Sequence, residues 1–409
     1  MKNYSQKLFL ICLVAFLSGC SGNNSKPGSS RELPSYSEIS SEEISSEMPE
    51  PVIKSLLPEE GTYNRFTDYQ KTYLESEDYA DTTPFSGTLT REDVSYPVPI
   101  EFSWEVENLE CSSYSVDIYK INEGQNDELK ATYLTAVNSF KFYNTEVGAS
   151  YKYKVTALDE ENNEIMTSDF SPVFSTENKG PRHLYVPGVE NMRDLGGWGK
   201  IKQGMIYRSG RFNEDKTDEP TLTVAPEGVE ELARFGIKTE IDLRRTANNE
   251  VGGLTNVSVI PTIENYYQIP MLFEGKNLLT YVGKSNSNDG YAYDNPAAIK
   301  RFFELLADEN NYPISFHCSI GKDRTGCLAF LLEGLMGFDL ETMYRDYMFT
   351  NFSKAGYCKL KDDILDRYGK TLDEYENGDN INEKIYNYLN EIIGVSIDDL
   401  NSIKTILGA

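Results

Sequence analysis

The sequence predicts an α/β domain with a central, mostly parallel sheet flanked by helices, preceded by an all-β sandwich. Short segments with alternating apolar and polar residues, separated by Asn-, Gly- and Glu-rich turns, indicate the sandwich. After Lys179-Gly180-Pro181 strands alternate with amphipathic helices, which is typical of a parallel sheet covered by helices. A length of 409 residues fits two or three such units.

The composition is that of a folded but strongly acidic protein. Hydrophobic residues make up 39% and aromatic residues 12%, which is enough for real cores. Acidic side chains number 65 against 39 basic ones, for a formal net charge of −26. Such a surface repels nucleic acid and anionic membranes, so we expect neither as a general partner.

The N-terminus has the features of a targeting segment. Lys2 and Lys7 precede an apolar run of ten residues, 8–17, which is too short to span a bilayer. The run ends in Leu17-Ser18-Gly19-Cys20, which resembles a bacterial lipobox. That resemblance implies cleavage after residues 1–19, lipid attachment to Cys20 and a location on the extracytoplasmic face of a membrane. The alternative is an ordinary signal peptide with an incidental cysteine.

Two segments separate the targeting segment from the predicted sandwich. Residues 20–58 are rich in Ser, Glu, Pro and Gly, so they bury too little apolar surface to fold and are expected to form a flexible tether. Residues 59–94 contain several tyrosines but no clear period, and their structure stays ambiguous.

The sandwich is predicted over residues 95–176. Its clearest strands are 100–106, 114–119 and 150–158. Residues 148–157 resemble the penultimate strand of fibronectin type III domains, and Trp104 stands where those domains place a core tryptophan. We therefore expect Trp104 and Tyr151 to be core residues. A fold-level resemblance of this kind carries no function.

The C-terminal half is predicted to form the α/β domain, over residues 182–409. The expected helices are 226–235, 296–308, 326–336, 340–351, 359–368, 381–393 and 397–407, and the expected strands include 237–243 and 313–316. Asn295 is placed to cap the second helix, with Pro296 in its first turn.

The stretch from His317 to Gly326 (HCSIGKDRTG) carries the chemistry. It lies between a predicted strand and a predicted helix. A loop in that position turns its backbone N–H groups inward at the positive end of the helix, where they bind a phosphate dianion. The same field stabilises a thiolate, so we expect Cys318 to be ionised at neutral pH. Arg324 follows six residues later and can bind two phosphate oxygens in a bidentate fork.

These residues resemble the cysteine-dependent phosphatases, whose motif is His-Cys-x5-Arg-Ser/Thr. The segment is most similar to bacterial tyrosine and lipid phosphatases with the loop His-Cys-x-x-Gly-Lys-Asp-Arg-Thr-Gly. Four further segments are similar to motifs of that group: 191–197 (NMRDLGG), 207–210 (YRSG), 241–244 (IDLR) and 346–351 (DYMFTN). The resemblance spans about residues 182–409.

The resemblance implies a covalent mechanism. Cys318 attacks phosphorus to form a phosphocysteine, which water hydrolyses. Arg324 and the loop amides stabilise the equatorial oxygens of the transition state. Thr325 can donate its hydroxyl to the thiolate, and in lipid phosphatases a lysine at the position of Lys322 favours multiply phosphorylated inositol rings. The residues expected to bind or shape the phosphate site are His317, Ser319, Ile320, Gly321, Lys322 and Thr325.

The general acid that protonates the leaving group stays open among three alternatives. Asp323 lies inside the loop, at the position that myotubularin lipid phosphatases use for this role. Dual-specificity phosphatases instead use an aspartate about thirty residues before the cysteine, a region that here contains Asp289 and Asp294. Water or another acid is the third alternative.

Other polar residues of the motifs are predicted to form buried ion pairs that brace the loop. They are Arg193, Asp194, Arg208, Asp242, Arg244 and Glu250. The two histidines and the scattered cysteines offer no set of metal ligands, so we expect neither a metal nor a cofactor.

Three functions are compatible with these observations. The first is a phosphatase for phosphotyrosine in proteins, with activity extending to phosphoinositides. The second is an extracellular phosphatase for inositol polyphosphates such as inositol hexakisphosphate. The third is a surface-binding lipoprotein with a vestigial phosphatase domain, which the intact loop argues against. The sequence does not indicate an oligomeric state.

Overall fold

The computed structural model describes residues 49–80, 96–178, 180–213, 223–245, 258, 260–272, 278–284, 292–353 and 369–408. The chain divides into two units, Met1–Pro49 and Glu50–Ala409. All elements described below belong to the second. Within the described ranges, no helix is both long and apolar enough to cross a membrane. The predicted signal and Cys20 lie outside them.

The N-terminal half of the second unit contains two sheets. The first is antiparallel and has the order β1 (Val52–Leu57), β3 (Ile100–Glu107) and β6 (Ser139–Phe142). The second has the order β2 (Gly61–Tyr63), β9 (Phe174–Thr176), β7 (Ser150–Leu158), β4 (Ser113–Lys120) and β5 (Glu128–Thr135), and β8 (Glu164–Thr167) pairs with β7.

Both sheets contribute to one apolar core. Trp104 comes from β3 and Tyr151 from β7, and both are buried in it, as predicted. Phe102 of the first sheet stacks on Tyr153 of the second, with ring centroids 4.5 Å apart. The more specific resemblance to fibronectin type III domains stays a prediction.

Strand β1 corrects the predicted extent of the tether. Residues 20–58 were expected to be unfolded, but residues 52–57 pair along β3, from Val52 opposite Glu107 to Leu57 opposite Ser103. Only Ile53 of this strand is buried. The strand is therefore held mainly by backbone hydrogen bonds, which leave little trace in the pattern of apolar residues. The two-sheet structure consequently begins well before the predicted residue 95.

The ambiguous segment contributes helix α1 (Asp68–Glu75) to the core of the C-terminal domain. Thr67 and Gln70 form a reciprocal capping box at its start. Tyr73 is fully buried and its ring lies 5.6 Å from that of Phe352. Arg345 donates to the backbone oxygen of Tyr73 at 3.0 Å. The pattern of apolar residues does not predict this docking, because the helix is short and few of its residues are apolar.

The C-terminal domain is built on a six-stranded sheet. Its order is β10 (Arg182–His183), β11 (Arg193–Asp194), β12 (Ile206–Ser209), β17 (Ile314–His317), β13 (Thr239–Asp242) and β14 (Asn265–Gln268). The last four of these strands are mutually parallel and the first two are antiparallel, which confirms a mostly parallel sheet. A separate hairpin pairs β15 (Val282–Lys284) with β16 (Ala292–Asp294).

The described part of the domain also contains seven α-helices. They are α2 (Pro226–Arg234), α3 (Asn295–Leu306), α4 (Arg324–Leu335), α5 (Leu340–Phe349), α6 (Lys370–Glu374), α7 (Ile381–Asn387) and α8 (Ile397–Leu407). Short 3₁₀ turns cover Leu195–Trp198, Glu309–Asn311 and Thr350–Phe352, and a π-helical segment, Tyr388–Ile393, continues α7. The predicted helix 359–368 lies outside the described residues. Asp294 caps α3, in place of the expected Asn295.

The sheet positions the motif loop at its centre. Strand β17 lies between β12 and β13, and its last residue, His317, stands opposite both Ser209 and Asp242. All residues of α4, which follows the loop, are buried. The carboxyl ends of three parallel strands therefore meet where the chain leaves β17, the usual place for a ligand site in such sheets.

Candidate active site

The loop from Cys318 to Asp323 turns its backbone carbonyls outward. Three consecutive carbonyls accept hydrogen bonds from side chains on neighbouring elements. The pairs are Ser319 with Arg211 Nη1 (3.1 Å), Ile320 with Asn191 Nδ2 (3.3 Å) and Gly321 with Arg208 Nη2 (2.9 Å). In a trans peptide the N–H points opposite to the C=O. The amides of residues 320–322 therefore face the inner side of the loop, beside the N-terminus of α4, and together form an anion site.

Gly321 is required by this conformation. Its φ of +71° lies in the left-handed region, and a Cβ at this position would lie 2.6 Å from the backbone oxygen of Ser209. The loop thus passes directly over the end of β12, where no side chain fits. Cys318 precedes this turn and is almost completely buried.

The first two residues of α4 also belong to the loop site. Arg324 is buried, and its Nη1 donates two long hydrogen bonds, to the backbone oxygens of Leu243 (3.3 Å) and Met271 (3.4 Å). A phosphate dianion is a stronger partner for a guanidinium than a neutral carbonyl. Thr325 is fully buried, and its hydroxyl has no hydrogen-bond partner among the described residues.

His317 is fixed by a carboxylate that the sequence did not single out. Its Nε2 lies 2.8 Å from Glu240 Oε1, and both side chains are buried. Glu240 in turn accepts a hydrogen bond from the hydroxyl of Ser258. Nδ1 of the same ring lies 3.3 Å from the backbone oxygen of Cys318. A chain of hydrogen bonds therefore extends from β13 to the residue that bears the thiol.

Glu240, Asp242 and His317 lie close enough together to bind a cation, with candidate ligand atoms within 4.8 Å of one another. The hydrogen bonds explain this cluster differently. Arg244 contacts both carboxylate oxygens of Asp242, with its Nε at 3.0 and 3.1 Å. Glu240 and Asp242 face different nitrogens of the ring. Burial would raise the pKa of Asp242, but Arg244 and His317 hold it below its ordinary value. We therefore interpret the cluster as a brace, without a metal.

Asp346 lies at the centre of a second brace behind the loop. It forms buried ion pairs with Arg193 (3.1 Å) and Arg208 (2.6 Å), and the latter also holds the carbonyl of Gly321. Burial would raise the pKa of Asp346, but the two guanidiniums lower it to about 2. With Arg182–Asp194 and Arg244–Asp242, these pairs confirm the predicted buried ion pairs. Glu250 lies outside the described residues.

The sequence matches the family described as "Tyrosine phosphatase family" over residues 184–407, more than half of the chain. The chain belongs to the tyrosine phosphatase family. A relative from Cupriavidus necator, H16_A0669, is 24% identical over 191 residues, covering 44% of this chain and 67% of the relative. A tyrosine-protein phosphatase of Nostoc commune is 28% identical over 141 residues, covering 33% of this chain and 47% of the relative.

A relative that is named for inositol phosphates and not for tyrosine is also similar to this domain. The inositol diphosphatase SIW14 of Saccharomyces cerevisiae is 30% identical over 77 residues, covering 19% of this chain and 27% of the relative. The chain thus spans less than half of the Nostoc and yeast relatives.

Among the candidate acids of this tyrosine phosphatase family domain, Asp323 lies closest in sequence to the nucleophile. It is the residue before α4 and is partly exposed. Asp294 is exposed and caps α3 through the amide of Ala297 at 3.0 Å. Asp289 lies outside the described residues. Asp323 directly follows the loop residues 320–322, and its role as the general acid stays a prediction.

The phosphatase domain contains one further described cysteine, Cys327. Burial, with a smaller contribution from Asp323, raises the pKa of the Cys327 thiol, so it stays protonated. Cys327 is fully buried and acts as a packed small residue of α4. Cys358 lies outside the described residues.

Sequence reasoning missed three residues that shape the site. Glu240 orients His317, while Asn191 and Arg211 bind loop carbonyls. Asn191 belongs to the NMRDLGG motif, but its role depends on its contact with Ile320, which lies 129 residues later in the chain. Glu240 stands two residues before Asp242 on strand β13. Residues two apart on a strand point to the same face of the sheet, and this spacing is the sequence signal that could have identified Glu240.

Proposed function

We propose that this chain is a phosphomonoesterase that uses Cys318 as its nucleophile and phosphotyrosine in proteins as its main substrate. The observation that carries the proposal is the loop with three outward carbonyls, because it leaves converging amides beside the thiol. Family membership supports the same reaction. The strongly acidic chain makes this local donor site necessary, since the rest of the surface repels a phosphate.

The reaction follows from these positions. The Cys318 thiolate attacks phosphorus while the bond to the phenolic oxygen breaks, and Asp323 gives its proton to that oxygen. The loop amides and Arg324 hold the three equatorial oxygens. Water then attacks the phosphocysteine and returns a proton to Asp323, which releases phosphate and the thiolate.

The test is hydrolysis of p-nitrophenyl phosphate by Cys318→Ser, with Cys327→Ser as the matched control. We expect the first variant to be inactive and the second to retain at least half of the wild-type rate. Vanadate, which mimics the transition state, should inhibit the wild type. Full activity of Cys318→Ser would refute the proposal. A wild type that turns over no phosphoester would favour a binding protein with a vestigial domain.

A second substrate class, inositol polyphosphates, has two specific observations in its favour. A relative of this domain is named an inositol diphosphatase, and the loop carries Lys322 at its rim, partly exposed. Parallel kcat/KM measurements on a phosphotyrosine peptide, a phosphoinositide and inositol hexakisphosphate separate the classes. We expect the peptide to be the best substrate. A higher kcat/KM for inositol hexakisphosphate would make the second class the function.

We also propose a lipid anchor on Cys20 and an extracytoplasmic location, preceding a fibronectin type III-like domain. The lipobox-like sequence supports the anchor, and more than one acyl chain gives stable membrane attachment. Fractionation of cells that express the full chain tests it. Wild type should sediment with membranes and Cys20→Ser should not. Equal sedimentation of both would refute the anchor.

A further inference from the structure

The sandwich and the phosphatase domain meet along a hydrogen-bonded seam. Asn144 donates to the backbone oxygen of Tyr185 at 2.9 Å and accepts from its amide at 2.8 Å. Arg182 donates to the backbone oxygen of Thr145 at 3.1 Å. The side chain of Gln203 accepts from the amide of Val147 at 2.7 Å and donates to its carbonyl at 3.0 Å. These hydrogen bonds hold residues 144–147 of the sandwich against residues 182–203 of the phosphatase domain.

An open groove of about 680 Å³ lies beside this seam. That volume is in the range of sites that bind peptide side chains and small ligands. One wall is aromatic and comes mainly from the sandwich: Tyr133, Phe140, Tyr143 and Tyr185. The other is the acidic face of α2, with Glu227, Glu230 and Glu231. We call this feature the seam groove.

The seam groove already holds one cation of the chain itself. The guanidinium of Arg234 lies 4.2 Å from the centre of the Tyr133 ring and pairs with Glu231 at 2.6 Å. The groove therefore has room for a cation that contacts an aromatic face on one side and a carboxylate on the other. Glu227 is exposed, lines the same groove, and makes no ion pair with any described residue. A second cation therefore has a carboxylate available.

The groove also borders an open sheet edge. Strand β5 is the last strand of its sheet and has no partner on its outer side among the described strands. Leu134 of this strand lines the groove and is 70% exposed. An extended peptide can add to such an edge through its backbone and place alternate side chains in the groove.

The groove is within reach of the phosphate loop. Pro187 lines the groove, and Asn191, four residues later, touches the carbonyl of Ile320 in the loop. Consecutive Cα atoms are 3.8 Å apart, so four residues span at most about 15 Å. An extended peptide advances about 3.3 Å per residue, so roughly five residues cover the span from Pro187 to Asn191.

We infer that the seam groove binds a basic, extended peptide segment that flanks the phosphotyrosine of a protein substrate. This inference rests on the proposed function and selects its protein substrate class. Positive side chains on the substrate meet Glu227 and also Glu230, which already pairs with Arg234 at 3.3 Å. An inositol polyphosphate would meet three carboxylates there against the two cations Lys141 and Arg234, so the groove favours the basic peptide. The positive side chains of the substrate also offset the repulsion between the acidic chain and the substrate phosphate.

The experiment compares two phosphotyrosine peptides of equal length, one with Lys and Arg around the phosphotyrosine and one with Glu. The groove variant is Glu227→Lys with Glu230→Lys. The control is Glu160→Lys with Glu161→Lys, which makes the same change of charge at exposed positions that do not line the groove. Turnover of p-nitrophenyl phosphate reports on folding and on the proposed function itself.

We expect wild type to prefer the basic peptide by about tenfold in kcat/KM at low salt, falling at high salt because exposed charges are screened. The groove variant should lose most of this preference while it turns over p-nitrophenyl phosphate within twofold of wild type. The control should keep the preference within twofold. An equal loss in both variants, or in neither, would overturn the inference.

A binding measurement keeps the inference testable if turnover fails. Fluorescence anisotropy with a labelled basic peptide that lacks phosphate reports on the groove alone. We expect the groove variant to weaken the Kd at least fivefold relative to both wild type and the control. Equal Kd values for wild type and groove variant would refute the groove. Absence of p-nitrophenyl phosphate turnover by wild type would instead refute the proposed function.

Discussion

Replacing Asp346 by Asn tests whether the buried brace holds the phosphate loop in shape. The Asp346 carboxylate pairs with Arg193 and Arg208, and the second of these arginines binds the carbonyl of Gly321. Asparagine keeps the size of the side chain but removes its charge. Two buried guanidiniums then share a neutral partner, which is far costlier than losing an exposed ion pair.

The structure sets the size of the effect. Removing one partner of a buried ion pair costs about 3–5 kcal/mol of the free energy of unfolding. The pKa of Asp346 is lowered from 3.8 to about 2, which corresponds to about 2 kcal/mol at neutral pH. Since the folded carboxyl is the stronger acid, this stabilisation is complete above pH 4. It is lost as the pH falls through about 2.

The assay is urea unfolding of wild type, Asp346→Asn and the exposed control Asp169→Asn at pH 7 and at low pH. We expect a loss of about 3–5 kcal/mol for Asp346→Asn at pH 7, narrowing by about 2 kcal/mol toward pH 2, and a change below 0.5 kcal/mol for the control. Turnover of p-nitrophenyl phosphate by Asp346→Asn should also fall, because Arg208 no longer holds the Gly321 carbonyl in place. A loss below 1 kcal/mol, or one that does not depend on pH, would refute the reasoning.

Three further substitutions test individual parts of the site. Glu240→Gln keeps a side chain of the same size but weakens the hydrogen bond that orients His317, so kcat for p-nitrophenyl phosphate should fall several-fold; an unchanged kcat would leave Glu240 a packing role only. Asp323→Asn should lower kcat more on alkyl than on aryl phosphates, because poorer leaving groups depend more on protonation; equal losses would indicate a structural role. Gly321→Ala should abolish vanadate binding, whereas Gly124→Ala, at a similar φ of +73° but in open space, should bind vanadate like wild type; similar behaviour of both would contradict the steric argument.

Regular elements with strong local patterns could be predicted from the sequence. The boundaries of Ser150–Leu158 and Ile397–Leu407 match the predictions to the residue, because alternation and helical period are local properties. The mostly parallel sheet followed from the alternation of strands and helices. Strand β1 could not be found in this way, since only Ile53 of it is buried and its pairing partner lies about fifty residues away.

The site was predictable where residues are adjacent in sequence and unpredictable where the fold brings them together. The loop residues from Cys318 to Arg324 belong to one turn, so their order already indicates an anion site. The link between Glu240 and His317 depends on β13 lying next to β17, and the link between Arg208 and the loop depends on β12 lying on the other side. Such neighbours follow from sheet order, which composition and spacing do not specify.

The central claim is that the loop makes the sulfur of Cys318 a nucleophile toward phosphorus. Rapid acid quenching of the full chain during turnover of a phosphotyrosine peptide, followed by peptide mass spectrometry, tests this claim directly. We predict one phosphate on the peptide that contains Cys318, and none after Cys318→Ser. Phosphate on another residue, or steady turnover with an unmodified Cys318 and an active Cys318→Ser, would contradict it.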